Sequence, residues 1–374
     1  MTEFVTYREA WQGYHDCKRH KRNAPEAIVY AQEYESNLHD LIDELNAGTY
    51  RISPAKRFAV ALPRIREVYA YVFKDRIVEH ILANRILPIL ELYFIPDSYS
   101  CRKGKGVLYG VQRMAEQISS IGKDCWYAEL DISGYFPSML REHIWEVIEP
   151  VIREGWNYGD DVDWWLQLLK MFIFHDPSKD CVECGDLEVL KQVPVEKCLS
   201  HDRGEPIGNL LNQIFAIVYL TDTDKWLAEE LEGYGRYVDD MGLLDTDHDK
   251  LLATIPVLRK KLAAIGLRLN EKKTIIQRAD KGIKFTGYVI KPWGIYSGER
   301  LVRNALAASK TIEEPLHHLE RLNSYLGFLR HTLSYSVRAK MWENTKKLYS
   351  GIYAKGHLWS IHRVKNKSLQ LAIV

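Results

Sequence analysis

Two adjacent acids inside an apolar run, Tyr237-Val238-Asp239-Asp240, constrain this chain more than any other feature. Consecutive residues on a strand point to opposite faces, so a pair like this suits a tight turn that lets a carboxylate project to a metal. The flanks support a hairpin: stretches 234–238 and 241–244 are short and mostly apolar, with Gly233, Gly235 and Gly242 among them. Carboxylates this close repel unless divalent cations neutralise them. A third acid lies upstream in Glu129-Leu130-Asp131-Ile132-Ser133-Gly134-Tyr135-Phe136-Pro137, where Asp131 follows the strand-like stretch 126–130 and precedes a turn. An acid at a strand end, with two more on a later hairpin, is the minimum that holds two Mg²⁺ ions for phosphoryl transfer.

The chain has 374 residues, enough for a large core and two or three domains. Met1-Thr2-Glu3-Phe4 opens without a basic and apolar leader, and the apolar run 214–220 is too short to span a bilayer. We therefore expect a cytoplasmic protein with no membrane partner. A net charge of +1 is low for a protein that grips phosphates, but the charge is segregated. Residues 330–374 carry nine lysines and arginines against the single acid Glu343, and further basic runs lie at 18–22 and 102–105. Acids gather at 142–163 and 229–232.

Periodicity predicts helices over 25–47, 76–93 (interrupted near Pro88), 108–121, 207–231 and 248–265, and strands over 57–62, 126–130, 234–238, 241–245 and 283–290. The β-α-β-β-α order predicts an antiparallel sheet with helices on one face. From residue 301 onward the chain reads as all helix.

Eight segments occur in a telling order: Pro63-Arg64-Ile65-Arg66-Glu67-Val68, Phe73-Lys74-Asp75-Arg76-Ile77-Val78, the run 98–106, the Asp131 segment, Pro206-Ile207-Gly208-Asn209-Leu210-Leu211-Asn212-Gln213, the acid hairpin, Leu269-Asn270-Glu271-Lys272-Lys273-Thr274 and Phe285-Thr286-Gly287-Tyr288. Over residues 7–349 this resembles a reverse transcriptase of the bacterial and phage type. The resemblance implies an α+β fold, a right-hand polymerase with fingers and an N-terminal extension (1–124), a palm of antiparallel sheet with helices (125–298, carrying an insertion at 175–203), and a helical thumb with a basic C-terminal tail (299–374).

It also implies roles for individual residues. Asp131, Asp239 and Asp240, with the backbone carbonyl of Ile132, would hold two Mg²⁺, Asp240 being the looser ligand. Phe136 would exclude a 2′-hydroxyl and so select dNTPs; plain core packing is the alternative. Arg66 and Arg76 would hold the triphosphate, guanidinium being matched to phosphate oxygens, with Arg64 competing for the role of Arg66. Ile207, Gly208 and Gln213 would bind the nucleotide, Gly208 letting the backbone approach the nascent base pair. Arg102, Lys103 and Lys105 would grip nucleic-acid backbone. Lys273, or its neighbour Lys272, would steady or protonate the leaving pyrophosphate. The Ile207-Gly208 pair with Gln213 is similar to diversity-generating retroelement enzymes, whereas Asn212 departs from their serine.

One pattern stands outside the resemblance. Cys181-x2-Cys184-x13-Cys198-x2-His201 has the spacing of a structural zinc site, and its charged surroundings offer little apolar surface to order the loop without metal. Cys17, Cys101 and Cys125 have no such spacing and read as ordinary thiols.

The expectation is thus an RNA-directed DNA polymerase using dNTPs and a template RNA, making a DNA product, and working with a partner protein or as a homo-oligomer. No nuclease or maturase appendage is recognisable. A dedicated noncoding RNA in antiphage defence is one biological setting, a diversity-generating retroelement the other. A non-catalytic nucleic-acid scaffold and a template-independent or protein-primed polymerase are the remaining readings.

Overall fold

The computed structural model describes residues 3–371 except 20, 22, 62–64, 195–198, 200–202, 312–313 and 365–369. The chain divides into two compact units, each gathered from separate stretches: 1–96, 132–226 and 257–269 in one, 97–131, 227–256 and 270–374 in the other.

The first unit is mainly helical. Its central element is the helix Phe73–Tyr93, which buries Ile77, Val78, Ile81, Leu82, Ile86 and Leu90. It runs through Pro88 rather than breaking there, so the expected interruption is corrected. The helix Tyr7–Lys18 packs against it, begun by a capping box between Thr6 and Glu9. Close approach is possible because Gly13 lacks a side chain: a Cβ there would sit 2.8 Å from Ile81 Cγ1. The helix expected over 25–47 is two, Pro25–Gln32 and Tyr34–Asn46, and that over 207–231 is also two, Leu210–Val218 and Thr221–Glu230.

Buried acids fasten this unit. Asp75 accepts from the Tyr50 hydroxyl at 2.7 Å and from the Ser53 amide at 3.0 Å. Glu79 accepts from the Leu211 amide at 3.1 Å, capping the helix Leu210–Val218 from another element, and burial pushes its carboxyl up to about 7.

A three-stranded sheet completes the unit, in the order Arg66–Ala70, Ala55–Val60, Cys181–Glu183. The third strand comes from the insertion. It pairs parallel with Ala55–Val60, the Cys184 amide donates to the Arg57 carbonyl at 2.9 Å, and Arg57 bridges Glu67 and Glu183. Strand pairing thus holds the first half of the segment expected to bind zinc. Cys198 and His201 lie outside the described residues.

The second unit holds a four-stranded antiparallel sheet in the order Gly233–Tyr237, Asp240–Asp245, Trp126–Asp131, Ile275–Arg278. The helix Val107–Ile121 lies on one face. Gly235 and Gly242, directly opposite each other, make room for it: a Cβ on either would come within 2.8 Å of Met114. A second sheet of Ile283–Phe285, Tyr288–Lys291 and Gly294–Ser297 follows, where one strand over 283–290 was expected. Helices Glu299–Ala308, Pro315–Leu329 and Tyr335–Leu348 share a core of Leu322, Leu326, Leu329 and Met341. The buried His318 ties this bundle together, its ring within 2.6 Å of the Tyr349 hydroxyl and 2.8 Å of the Ala308 carbonyl. The all-helical reading beyond residue 301 is corrected at the end. Strands Ile352–Lys355 and Ser360–Arg363 form a hairpin, and Tyr349–Ser350 pairs with Gln370–Leu371. Among the described residues no helix is long and apolar enough to cross a membrane.

Candidate active site

Strand register builds the centre of the second unit. Asp131 ends the strand Trp126–Asp131 and stands directly opposite Asp240, the first residue of its antiparallel neighbour. The two-residue alternation of a strand puts Glu129 on the same face as Asp131. The helix Val107–Ile121 covers this face at Gly242 and Tyr127, and the carboxylates lie beyond the residues it contacts.

Asp239 lies in the turn between Tyr237 and Asp240, after Val238. Val238 has φ of 58°, an outlier for a β-branched residue that costs about 1–3 kcal/mol. The turn is held from within by Arg236, which is fully buried. Its Nη1 donates to the Val238 carbonyl at 2.9 Å, while its backbone pairs on both sides with Asp97 and Tyr99 at 2.9 Å. The motif reading missed Arg236. Its signal was a cation in the middle of a strand flanked by tyrosines and glycine, where burial demands partners.

Asp131 is fixed three times. Asn270 donates from its side chain to Oδ2 at 3.0 Å and from its amide to the Asp131 carbonyl at 2.7 Å, and Lys273 forms an ion pair with Oδ1. Lys273 sits on the single turn Glu271–Lys273 and keeps about half its side chain in solvent; Lys272 is exposed. Burial, then Asp239 and Asp131, push the Asp240 carboxyl up to about 7, against the pull of Lys273. Burial also raises Glu129, with Lys284 opposing.

Crowded carboxylates that resist ionisation fit cations, and an all-oxygen donor set fits Mg²⁺. Among the described residues, no three His, Cys, Asp or Glu side chains converge into a finished metal cage. Ile132 follows Asp131 and is buried.

Beside Glu129 opens a cavity of about 850 Å³ lined by Lys284, Thr286, Tyr288, Arg300 and Phe328 among others. Of the cations in 102–105, Arg102 is buried and donates to the Ser98 carbonyl at 2.8 Å, which braces the loop. Lys103 is exposed, and Lys105 lies over the Tyr109 ring.

The remaining candidates belong to the first unit. Phe136 sits half-buried on the turn Tyr135–Ser138, and its carbonyl accepts from the Glu205 amide at 2.9 Å. Phe136, Ile207, Tyr69 and Glu67 line one small cavity. Gly208 has φ of 122°, and a Cβ there would meet Val68 Cγ1 at 2.9 Å. The glycine is therefore required locally by its conformation and by the strand Arg66–Ala70. Asn209 locks the same junction, donating to the Tyr69 carbonyl at 2.9 Å and accepting from the Tyr71 amide at 3.2 Å. Asn212 donates to the Pro206 carbonyl at 2.8 Å, which gives it a local structural role; Gln213 is exposed. Glu205 is buried and pushed up to about 8 by burial, although Arg141 lies 3.8 Å away. Arg66 is exposed at the start of its strand, and Arg76 lies in the first turn of Phe73–Tyr93; Arg64 lies outside the described residues.

Comparison with known proteins identifies the family. Residues 64–290 match the family model described as reverse transcriptase (RNA-dependent DNA polymerase). No curated protein matches the chain. Among solved structures, a telomerase from Candida albicans in complex with a TWJ fragment of telomeric RNA aligns at 12% identity, over 79% of this chain and 56% of that one, with a TM-score of 0.47. Apo telomerase from Candida tropicalis aligns at 11% identity with the same coverages and a TM-score of 0.48. This chain spans little more than half the length of either. The family match takes in more than half of the chain and all three aspartates, and the chain belongs to the reverse transcriptases, the RNA-dependent DNA polymerases.

Proposed function

We propose that the protein copies a dedicated noncoding RNA into DNA by two-metal phosphoryl transfer, within a right-hand architecture of fingers, palm and helical thumb. One observation carries the chemistry: strand register sets Asp131 opposite Asp240, with Asp239 in the adjoining turn. Asp131, Asp239, Asp240 and the Ile132 carbonyl would hold the ions. When bound, two Mg²⁺ ions activate the 3′-hydroxyl and neutralise the leaving pyrophosphate. Asn270 orients Asp131, and Arg236 fixes the turn that carries Asp239. Lys273 is a half-exposed cation of the kind that steadies or protonates a departing phosphate.

Asp239→Asn or Asp240→Asn keeps the volume and removes the charge. Either should lower Mg²⁺-dependent dNTP incorporation by roughly a thousandfold or more, about 4 kcal/mol of barrier, with unchanged RNA binding and melting temperature. Undiminished synthesis by the double Asn variant overturns the reading. Phe136→Ala should let NTPs compete with dNTPs; unchanged sugar discrimination in an active variant leaves Phe136 a packing residue.

We also assign the protein to antiphage defence, with a partner protein or second copy, in the cytoplasm. The support is the insertion and Asn212, which depart from the retroelement pattern. Ile207-Gly208 with Gln213 favours a diversity-generating retroelement instead. Sequencing the co-purifying RNA decides between a noncoding RNA and a template repeat. The Cys181, Cys184, Cys198 and His201 spacing supports a structural zinc, which elemental analysis should find at about one per chain; its absence removes the assignment.

A further inference from the structure

The C-terminal hairpin has one anchored face and one open face. Tyr353 stands opposite His362, Ala354 opposite Ile361 and Lys355 opposite Ser360. Ile361 is buried in the helical core of Leu322, Leu326 and Met341, and Asn323 clamps its backbone with two bonds of 2.7 and 2.8 Å. Alternation places Tyr353, Lys355, Ser360 and His362 on the other face. Tyr353 is 46% exposed, with its ring 5.5 Å from His362.

The turn adds a second ring. Gly356 and Leu358 have φ of 63° and 59°. A Cβ on Gly356 would come within 2.9 Å of the Trp359 ring, so the indole rests on the turn, yet it remains 47% exposed. His357 meets it edge-on at 5.7 Å. Lys355 on this face is exposed, and residues 330–374 contain nine Lys or Arg against one acid.

We propose that this face binds an unpaired stretch of RNA, its bases stacking on Tyr353 and Trp359 and its phosphates meeting Lys355. Exposed rings among cations of one sign are complementary to a polyanion that has π faces. A duplex hides those faces, so the occupant is single-stranded. The choice of RNA rests on the copying reading above: template ahead of synthesis is unpaired, whereas product DNA stays paired to it.

The test uses the full chain without dNTPs and a labelled oligouridylate. Tyr353→Ala with Trp359→Ala should weaken binding by about tenfold to a hundredfold with little change in salt dependence, since stacking is lost and charge is not. Lys355→Gln should weaken it less and reduce the salt slope by about 0.7. Tyr353→Phe with Trp359→Phe keeps the rings and should bind normally, which separates lost stacking from a damaged fold. Duplex RNA should be indifferent to all of these changes. Unchanged affinity in the double Ala variant, an equal loss on duplex, or equally tight binding of oligodeoxythymidylate overturns the proposal. Primer extension by the unaltered protein on a pre-annealed template is measured separately. Its failure would strike the polymerase reading, while loss of ring-dependent RNA binding would strike this one.

Discussion

Two hairpins in the same unit use the same backbone device for opposite ends. Gly233–Tyr237 and Asp240–Asp245 close through a two-residue turn with Val238 in the left-handed region, and a buried arginine grips that turn from inside. Ile352–Lys355 and Ser360–Arg363 close through four residues with Gly356 and Leu358 in the left-handed region, and rings there face solvent. The first hairpin holds charged groups in its turn, and it carries strain and a buried cation that must be matched. The second only presents a surface, and its order comes from the helices beneath it.

The sharpest way to break this contrast is Arg236. Arg236→Lys keeps the charge but loses the planar fork, and we expect roughly a tenfold to hundredfold fall in kcat with KM for dNTP nearly unchanged and a higher Mg²⁺ requirement. A fall in melting temperature with no change in kcat per folded molecule would make Arg236 merely structural. Next in size is Val238→Gly, which relieves the left-handed strain but frees the turn; activity should drop by about tenfold while stability holds within about 1 kcal/mol. Activity equal to the parent would mean that the turn needs no fixing. The smallest effect belongs to Leu358→Gly, the same change in the other hairpin. It should leave synthesis untouched and shift stability by no more than about 1 kcal/mol, as thermal melting would report.

The catalytic hairpin was legible because its signals are local: alternating apolar residues, glycines and paired acids within a dozen positions. The same holds for the strand ending in Asp131. What escaped notice depends on distant partners. Arg57 meets Glu183 across 126 positions, so nothing in Cys181-Val182-Glu183 betrays a strand until Ala55–Val60 is beside it. Glu79 looks like a surface acid on a helix, and only the amide of Leu211, 132 positions later, explains its burial. The tail was read as helix because its neighbours are helical, although Gly351 and Gly356 bracket a short alternating run. Nor does the run 102–105 show that Arg102 bonds the Ser98 carbonyl.

The division of the chain into interleaved stretches bears on how the protein is made. The polypeptide passes from one unit to the other at 96, 131, 226, 256 and 269, so neither unit is finished when its first segment leaves the ribosome. The Tyr219 hydroxyl donates to the carbonyl of Ile265, and the Leu140 amide donates to Tyr219. This knot in the first unit can tie only after about seven-tenths of the message has been translated. Until then the apolar helix Leu210–Val218 emerges before part of its own unit exists, a state open to aggregation and to chaperone capture. Nascent chains stalled before residue 257 should therefore be more protease-sensitive in their N-terminal half than the released protein.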